Sequence, residues 1–248
     1  MSSSWGRYAR CCSLAAYWLS DLEYPRVGRV LLTGFEAFGT TSVNPAQRVA
    51  ERLHGETVNG AEIVGLVVPN VFFRSIERVT GAIESFHPQC VILLGEYGGR
   101  SMITVERICQ NYNDSVRYEL ADNSGAMLNG VPTIPGGPVA YHSTLPIRAM
   151  VRTMRAAGIP SDISDAPGTN VCNHLMYGVL HHIATNRLPI RAGWIHLPHL
   201  PETAARDDHI GAASMSEETA IAGVLAGIRA CLENSHDVDI PVKSRWQI

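Results

Sequence analysis

The chain has 248 residues, of which 46% are hydrophobic and 17% are charged. A chain of this length and composition can bury a large core without disulfides or a metal, so one large domain is expected. The formal net charge of −3, with no long run of lysine or arginine, argues against a nucleic-acid-binding protein. The longest apolar runs have the length of a strand, far below the roughly 20 residues that cross a bilayer, which argues against a membrane protein.

Cysteine usage and the first residues bear on the compartment. The six cysteines have neither metal-ligand spacing nor the density of a secreted disulfide scaffold, so a reducing cytoplasm and no metal are expected. Residues 1–27 place two arginines before a short apolar patch, but Asp21 and Glu23 follow it and no clear cleavage site is present. We interpret residues 1–27 as an N-terminal extension, for which a flexible tail or an over-called start codon is as good an explanation as a function. Residues 28–248 then form the domain.

The first half of the domain alternates between strand-like and helix-like segments. GRVLLTGF predicts a strand, and PAQRVAERLHG predicts a helix because proline stands at its start and apolar residues recur at helical spacing. AEIVGLVVP predicts a second strand and VFFRSIERVTGAIESFH a second helix. CVILLGE is too apolar to have a solvent face, so this third strand is expected to be buried on both sides.

The second half continues the alternation after an irregular region. SMITVERICQNYN is rich in β-forming residues, and residues 114–141, with their Asn, Gly and Pro, predict loops or a hairpin on the sheet. The remaining segments predict a helix, a short strand, a helix, a strand and a closing helix: LPIRAMVRTMRAAGI, SDISDA, CNHLMYGVLHHIATN, RAGWIHLPHLP and MSEETAIAGVLAGIRACLEN. The pattern predicts an α/β fold, a single-domain three-layer sandwich with an open, mostly parallel twisted sheet and helices on both faces. Its active site is expected beyond the carboxyl ends of the strands.

Cys172 is the candidate nucleophile. A Pro-Gly turn delivers it to the first turn of a predicted helix, where the helix dipole and unpaired N–H groups favour a thiolate and can stabilise an oxyanion. A small buried hydrophobic residue is the alternative interpretation, and from the residues alone the two have about equal weight. Cys90, in an apolar strand, and Cys109, in a β-rich run, fit the structural alternative better.

A cysteine nucleophile needs a base and a group that orients the base. His196 stands at the carboxyl end of the next predicted strand, where a parallel sheet would bring it near the start of the preceding helix, and His199 is its nearest competitor. Glu106 is an acid in an apolar β-like segment and needs a partner there. It could orient the histidine, and a structural salt bridge with Arg100 or Arg107 explains it equally well.

Two glycine-containing loops follow predicted strands. TGFEAFGTTSVNP and GEYGGR lack the spacing of nucleotide-binding loops, so nucleotide binding is not expected. Their aromatic residues Phe35, Phe38 and Tyr97 could wall a small pocket, although aromatics near strand ends more often belong to the core.

Four groups of motifs together resemble the pyroglutamyl peptidase I (pyrrolidone carboxyl peptidase) family of cysteine peptidases. They are TGFEAFG with VNP, GEYGGR with ITVER, PGTNVCNHLMYG, and GWIHLPHLPE. The resemblance covers about residues 28–202. It implies an α/β sandwich without a cofactor, a cytoplasmic homo-oligomer (a dimer or tetramer), and removal of N-terminal pyroglutamate from peptides with a blocked N-terminus by thiolate attack and a thioester intermediate.

The resemblance also implies roles for individual residues. The family's triad corresponds to Glu106 as orienting acid, Cys172 as nucleophile and His196 as general base. Its substrate pocket corresponds to Phe35, Phe38, Asn44, Glu96 and Val171.

This chain departs from the family pattern around the pocket. Where the family usually reads PFGG, this chain has AFGT at residues 37–40, and where it reads GQAGGR this chain has Glu96 and Tyr97. Asn170 stands where the family commonly has an aromatic residue. Two alternatives therefore accompany the family activity: a cysteine amidase of the same fold with a different preference for the N-terminal group, and a non-catalytic homologue.

Overall fold

The computed structural model describes residues 28–245, and the prediction of an N-terminal extension over residues 1–27 lies outside them. The strands are Gly28–Phe35 (β1), Thr57–Val58 (β2), Ala61–Val68 (β3), Cys90–Glu96 (β4), Ile103–Glu106 (β5), Ile108–Gln110 (β6), Asn113–Asp114 (β7), Asn129–Val131 (β8), Ala140–His142 (β9), Ser161–Ser164 (β10) and Arg191–Leu197 (β11). A seven-stranded sheet forms the centre, in the order β10-β5-β11-β4-β1-β3-β2, and two small two-stranded sheets pair β6 with β9 and β7 with β8.

Helices cover both faces of the central sheet, as predicted. The α-helices are Pro45–Leu53 (α1), Arg74–Phe86 (α2), Ile147–Ala156 (α3), Val171–Thr185 (α4), Pro201–Ala204 (α5) and Glu217–Glu233 (α6). The core on one face contains apolar residues of α1, α3 and α6, and the core on the other face contains those of α2 and α4. Within residues 28–245, none of the helices has the length and apolarity needed to cross a membrane. The α/β fold with a mostly parallel sheet is confirmed.

The central strand β4 is buried along its whole length, which explains its apolar run from Cys90 to Gly95. It pairs in parallel with β1 on one side and with β11 on the other. β5 runs antiparallel to β11, pairing Ile195 with Val105 and His196 with Thr104. The residue two positions after Thr104 is Glu106, so the reversed strand presents both side chains on the face of the sheet that His196 occupies.

Residues 114–141 form part of the small sheets rather than a single hairpin. β7 pairs with β8 and β6 pairs with β9, and a short 3₁₀ turn, Val116–Tyr118, lies between β7 and β8. Tyr118 and Leu120 from this segment reach the pocket described below. The segment predicted as loops or a hairpin therefore contributes to a wall of the candidate site.

Candidate active site

The start of helix α4 is anchored so that Cys172 has a fixed position. The side chain of Asn173 accepts a hydrogen bond from the Gln110 backbone N–H at 2.9 Å and donates to the carbonyls of Gln110 and Tyr112, both at 2.9 Å. Asn170 precedes the helix without a side-chain capping bond, and the first backbone bond runs from the N–H of His174 to the Asn170 carbonyl at 3.0 Å. The N–H groups before His174 therefore have no helical acceptor and remain potential oxyanion donors.

Gly95 leaves the space that the Cys172 sulfur occupies. A methyl group at Gly95 would lie 2.5 Å from the Trp194 ring and 3.3 Å from Cys172 Sγ, so both the indole and the sulfur pack close to Gly95. In the pairing of β4 with β11, Gly95 is the register partner of His196. Because neighbouring strands lie about 4.8 Å apart, this register brings the thiol beside the imidazole.

The imidazole of His196 is held by a carboxylate and by aromatic rings. Its Nδ1 lies 2.7 Å from Oε1 of Glu106, and both side chains are almost completely buried. The ring contacts Tyr97 at a centroid distance of 5.3 Å and Trp194 at 5.5 Å. Nε2 is buried and has no hydrogen-bond partner among residues 28–245. Nδ1–H donates to the carboxylate, which leaves the Nε2 lone pair free to accept the thiol proton.

Glu106 combines the two roles that sequence reasoning treated as alternatives. Its Oε1 accepts from Nη1 of Arg100 at 2.8 Å as well as from His196, whereas Arg107 pairs with Asp165 at 3.4 Å. Burial acts to raise the pKa of Glu106, but the hydrogen bond and charge of His196 and the charge of Arg100 lower it below its usual value. Glu106 is therefore an ionised acid that both orients the imidazole and pairs with arginine.

The thiol of Cys172 does not have the lowered pKa that its helix position predicted. Burial, reinforced by the negative charge of Glu106, raises the pKa of the Cys172 thiol to about 12. Burial also lowers the pKa of His196. The free pair at neutral pH is thus a thiol beside a neutral imidazole. Both pKa shifts favour this neutral pair, in which attack by the sulfur is coupled to transfer of its proton to Nε2.

A cavity of about 250 Å³ opens beside Cys172 and His196. This volume falls just below the roughly 300–1,000 Å³ of pockets for drug-sized ligands, so it suits a small head group. Phe35, whose ring packs 5.6 Å from Trp194, forms part of its apolar wall. Its lining consists of Phe35, Phe38, Asn70, Glu96, Tyr97, Gly98, Tyr118, Leu120, Pro167, Gly168, Thr169, Asn170, Val171, Cys172 and His196.

Four of the five pocket residues implied by the resemblance meet in this cavity: Phe35, Phe38, Glu96 and Val171. Asn44, the fifth, is not among the described residues that line the cavity. Asn44 Oδ1 accepts from the Ala46 N–H at 2.9 Å, and its Nδ2 donates to the Glu36 carbonyl at 3.1 Å. Asn44 thus caps helix α1 and holds the loop that carries Phe38.

His199, the competing base, belongs to a different carboxylate. Its Nδ1 lies 2.7 Å from Oε1 of Glu96. The two histidines that compete for the role of base in the sequence therefore differ in their acid: His196 pairs with Glu106 and His199 with Glu96. Sequence reasoning did not predict Asn70, Tyr118 or Leu120 in the pocket wall, because they come from loops that carry no motif.

A mostly parallel α/β sheet with a Cys, His and Glu constellation at the end of its central strands defines a hydrolase of the cysteine type. The pyroglutamyl peptidase family matches residues 28–234, and the chain belongs to that family.

Similar proteins cover nearly the whole of this chain. A Mycobacterium tuberculosis protein named pyrrolidone-carboxylate peptidase is 59% identical over 222 residues, which are 90% of this chain and 100% of the relative. A Bacillus cytotoxicus protein of the same name is 43% identical, covering 84% of this chain and 95% of the relative. The crystal structure of pyroglutamyl peptidase I from Bacillus amyloliquefaciens superposes with a TM-score of 0.81 at 35% identity, covering 85% of this chain and 100% of that one.

Proposed function

We propose that this protein hydrolyses the amide bond after an N-terminal pyroglutamyl residue, with Cys172 as nucleophile, His196 as general base and Glu106 as the positioning acid. The observation that carries the proposal is the Cys172 sulfur close to Gly95, the strand partner of a His196 imidazole held 2.7 Å from a buried carboxylate. The names of the similar proteins support the pyroglutamyl group as substrate.

The chemistry follows from the positions of these groups. The sulfur attacks the carbonyl carbon as its proton moves to Nε2 of His196, and the imidazolium that forms is stabilised by Glu106. The N–H groups at the start of α4 hold the oxyanion. Collapse breaks the C–N bond, and His196 gives the proton to the leaving amine. Water, deprotonated by His196, then hydrolyses the thioester, releases pyroglutamate and restores the thiol.

The direct test is release of aminomethylcoumarin from its pyroglutamyl amide by the purified full chain. We expect hydrolysis by the wild type and a loss of at least about 10⁴-fold in kcat for Cys172→Ala. Cys109→Ala is the matched control, because burial also raises the pKa of that thiol to about 12 but Cys109 lies outside the pocket. Activity of Cys172→Ala close to that of the control would rule out the assignment of the nucleophile.

Asn170 favours a second candidate, a substrate with one more polar group. Asn170 lines the pocket, and its Oδ1 is buried and has no hydrogen-bond partner among residues 28–245. A buried acceptor left without a partner costs roughly 1–3 kcal/mol, so a head group with an additional N–H would gain from it. A panel of aminoacyl coumarin amides, assayed beside the pyroglutamyl amide, distinguishes the candidates by their kcat/KM values.

We further propose that the protein works in the cytoplasm as a homo-oligomer. The four cysteines within residues 28–245 are free, which fits a reducing compartment. Several large apolar side chains in the segments that connect the strands of the small sheets are exposed, which fits a contact between copies: Tyr112, Val116, Tyr118, Met127 and Val139. Light scattering coupled to gel filtration would measure the assembly, and a monomer at micromolar concentration would contradict the oligomer.

A further inference from the structure

A second histidine–carboxylate pair, which the catalytic steps do not use, adjoins the cavity through Glu96. Glu96 ends strand β4 and lines the pocket, and its Oε1 lies 2.7 Å from Nδ1 of His199. The side chain of Glu96 is only 2% exposed and that of His199 12%. A carboxylate removed from water to this extent needs a partner for its charge.

Three parts of the chain fix the position of His199. Its backbone carbonyl accepts from the N–H of Met215 at 2.9 Å, and its ring packs edge-on against His209 at a centroid distance of 5.1 Å. Gly98 provides the space for the ring, since a methyl group there would lie 2.2 Å from Nε2 of His199. The contact with Glu96 is therefore built into the fold.

The chemistry of a lactam defines what the pair has to do. A pyroglutamyl ring is neutral and offers one N–H donor and one carbonyl acceptor. An ionised Glu96 can accept the N–H. Its uncompensated charge in a small apolar cavity, however, would disfavour binding of the neutral ring and would repel the lactam carbonyl oxygen. A proton shared with His199 makes the pair neutral overall while leaving a carboxylate oxygen as acceptor.

We propose that Glu96 and His199 recognise the substrate as one unit with a single shared proton, in which Glu96 accepts the lactam N–H and His199 balances its charge. The inference rests on the proposed function and deepens it. It makes His199 a specificity-determining residue that acts through Glu96.

The surroundings fit a pair that holds one proton. Burial raises the pKa of Glu96, and the hydrogen bond of His199 with the charges of His199 and His209 limits that rise. The charge of Glu96 also contributes to the raised pKa of Cys172, so balancing it favours the nucleophile. Two titratable groups interact with the pair directly: Cys172 of α4, through the charge of Glu96, and His209 of the segment after α5, whose ring packs against His199. Asp208 in turn pairs with His209 and with Arg206.

The test is a double-mutant cycle with pyroglutamyl aminomethylcoumarin, using His199→Gln, Glu96→Gln and the double variant of the full chain. In the wild-type background His199→Gln should raise KM about ten-fold with a much smaller change in kcat, because it leaves a buried carboxylate unbalanced. In the Glu96→Gln background the same change should raise KM less than about two-fold, since no charge remains to balance. His236→Gln, at an exposed position, is the control.

A pH series gives a second readout. Loss of the shared proton leaves a bare carboxylate, so KM should rise at alkaline pH in the wild type, and this rise should be absent from Glu96→Gln. If His199→Gln does not fold, Gly98→Ala replaces it, because the added methyl group displaces the His199 ring without removing a titratable group.

The outcomes separate this inference from the proposed function. A wild type that hydrolyses the pyroglutamyl amide, but in which the His199 and Glu96 effects on KM simply add, would overturn the shared-proton unit alone. A wild type without pyroglutamyl hydrolysis would overturn the proposed function itself. A strongly non-additive cycle together with loss of the alkaline rise in Glu96→Gln would establish the unit.

Discussion

Two histidine–carboxylate pairs lie at the same end of the sheet, and each has an Nδ1 to Oε1 distance of 2.7 Å. They differ in their third partner. Glu106 also accepts from Arg100 and has a lowered pKa, whereas Glu96 has His199 as its hydrogen-bond partner and a raised pKa. One hydrogen-bond geometry thus serves two purposes, because the surrounding charge decides where the proton lies.

The consequence is a division of work between the pairs. An acid that stays ionised can hold His196 in one tautomer and stabilise the imidazolium formed during attack. An acid that shares its proton can face a neutral ring without presenting a full charge. Glu106→Gln should therefore act mainly on kcat, and Glu96→Gln mainly on KM.

Among changes to the histidine–carboxylate pairs, the largest effect is expected for Glu106→Gln. Loss of the carboxylate removes the stabilisation of the imidazolium, so kcat should fall on the order of 10³–10⁴-fold. Because the charge of Glu106 raises the pKa of His196, its loss should also move the acid limb of kcat/KM to lower pH. Steady-state kinetics from acid to neutral pH would measure both changes, with Glu96→Gln as the matched comparison.

Glu106→Gln also leaves the partly buried Arg100 without an ionised partner, so its thermal unfolding has to be recorded beside the kinetics. A folded variant with kcat within ten-fold of the wild type, or with an unmoved acid limb, would contradict the orienting role.

A smaller effect is expected from His174, a buried histidine paired with no carboxylate among the described residues. Its Nε2 accepts from the N–H of Phe73 at 3.0 Å, and burial lowers its pKa to about 4 from 6.5. Between pH 6.5 and 4 this histidine is protonated in the unfolded chain but not in the folded chain. The free energy of unfolding therefore falls as pH drops through 6.5 and levels off near 4. This difference corresponds to about 3 kcal/mol of unfolding free energy.

Denaturant unfolding at several pH values would measure this loss, and His174→Gln should lack that share of it while other groups titrate as before. An equal pH dependence of stability in the variant would contradict this prediction, because it would show that His174 is not the group that titrates.

Much of the fold follows from local patterns in the chain. The fully apolar run of β4 and the helical spacing in α1 and α6 indicate their elements because each pattern reflects burial of a single element. The reversed direction of β5 and the short strand β2 were not predicted, since strand direction depends on pairing with distant residues rather than on local pattern.

In the site, too, local patterns identify individual residues, whereas properties that depend on contacts between distant residues are not predicted. A turn before a helix singled out Cys172, and the end of a strand singled out His196. The raised pKa of Cys172 comes instead from burial under neighbouring elements, and the Glu96–His199 contact joins residues 103 positions apart. Asn44 was placed in the pocket through the resemblance, but the structure uses both ends of its amide to cap a helix and hold a loop.

The most direct test of the account is to trap the acyl-enzyme. The full chain is mixed with an activated pyroglutamyl ester, which acylates rapidly, then quenched in acid, digested and mapped by mass spectrometry. We predict one pyroglutamyl group on the peptide that contains Cys172, in the wild type and in Cys109→Ala, and none in Cys172→Ala. Acylation of another residue, or turnover by Cys172→Ala, would contradict the account.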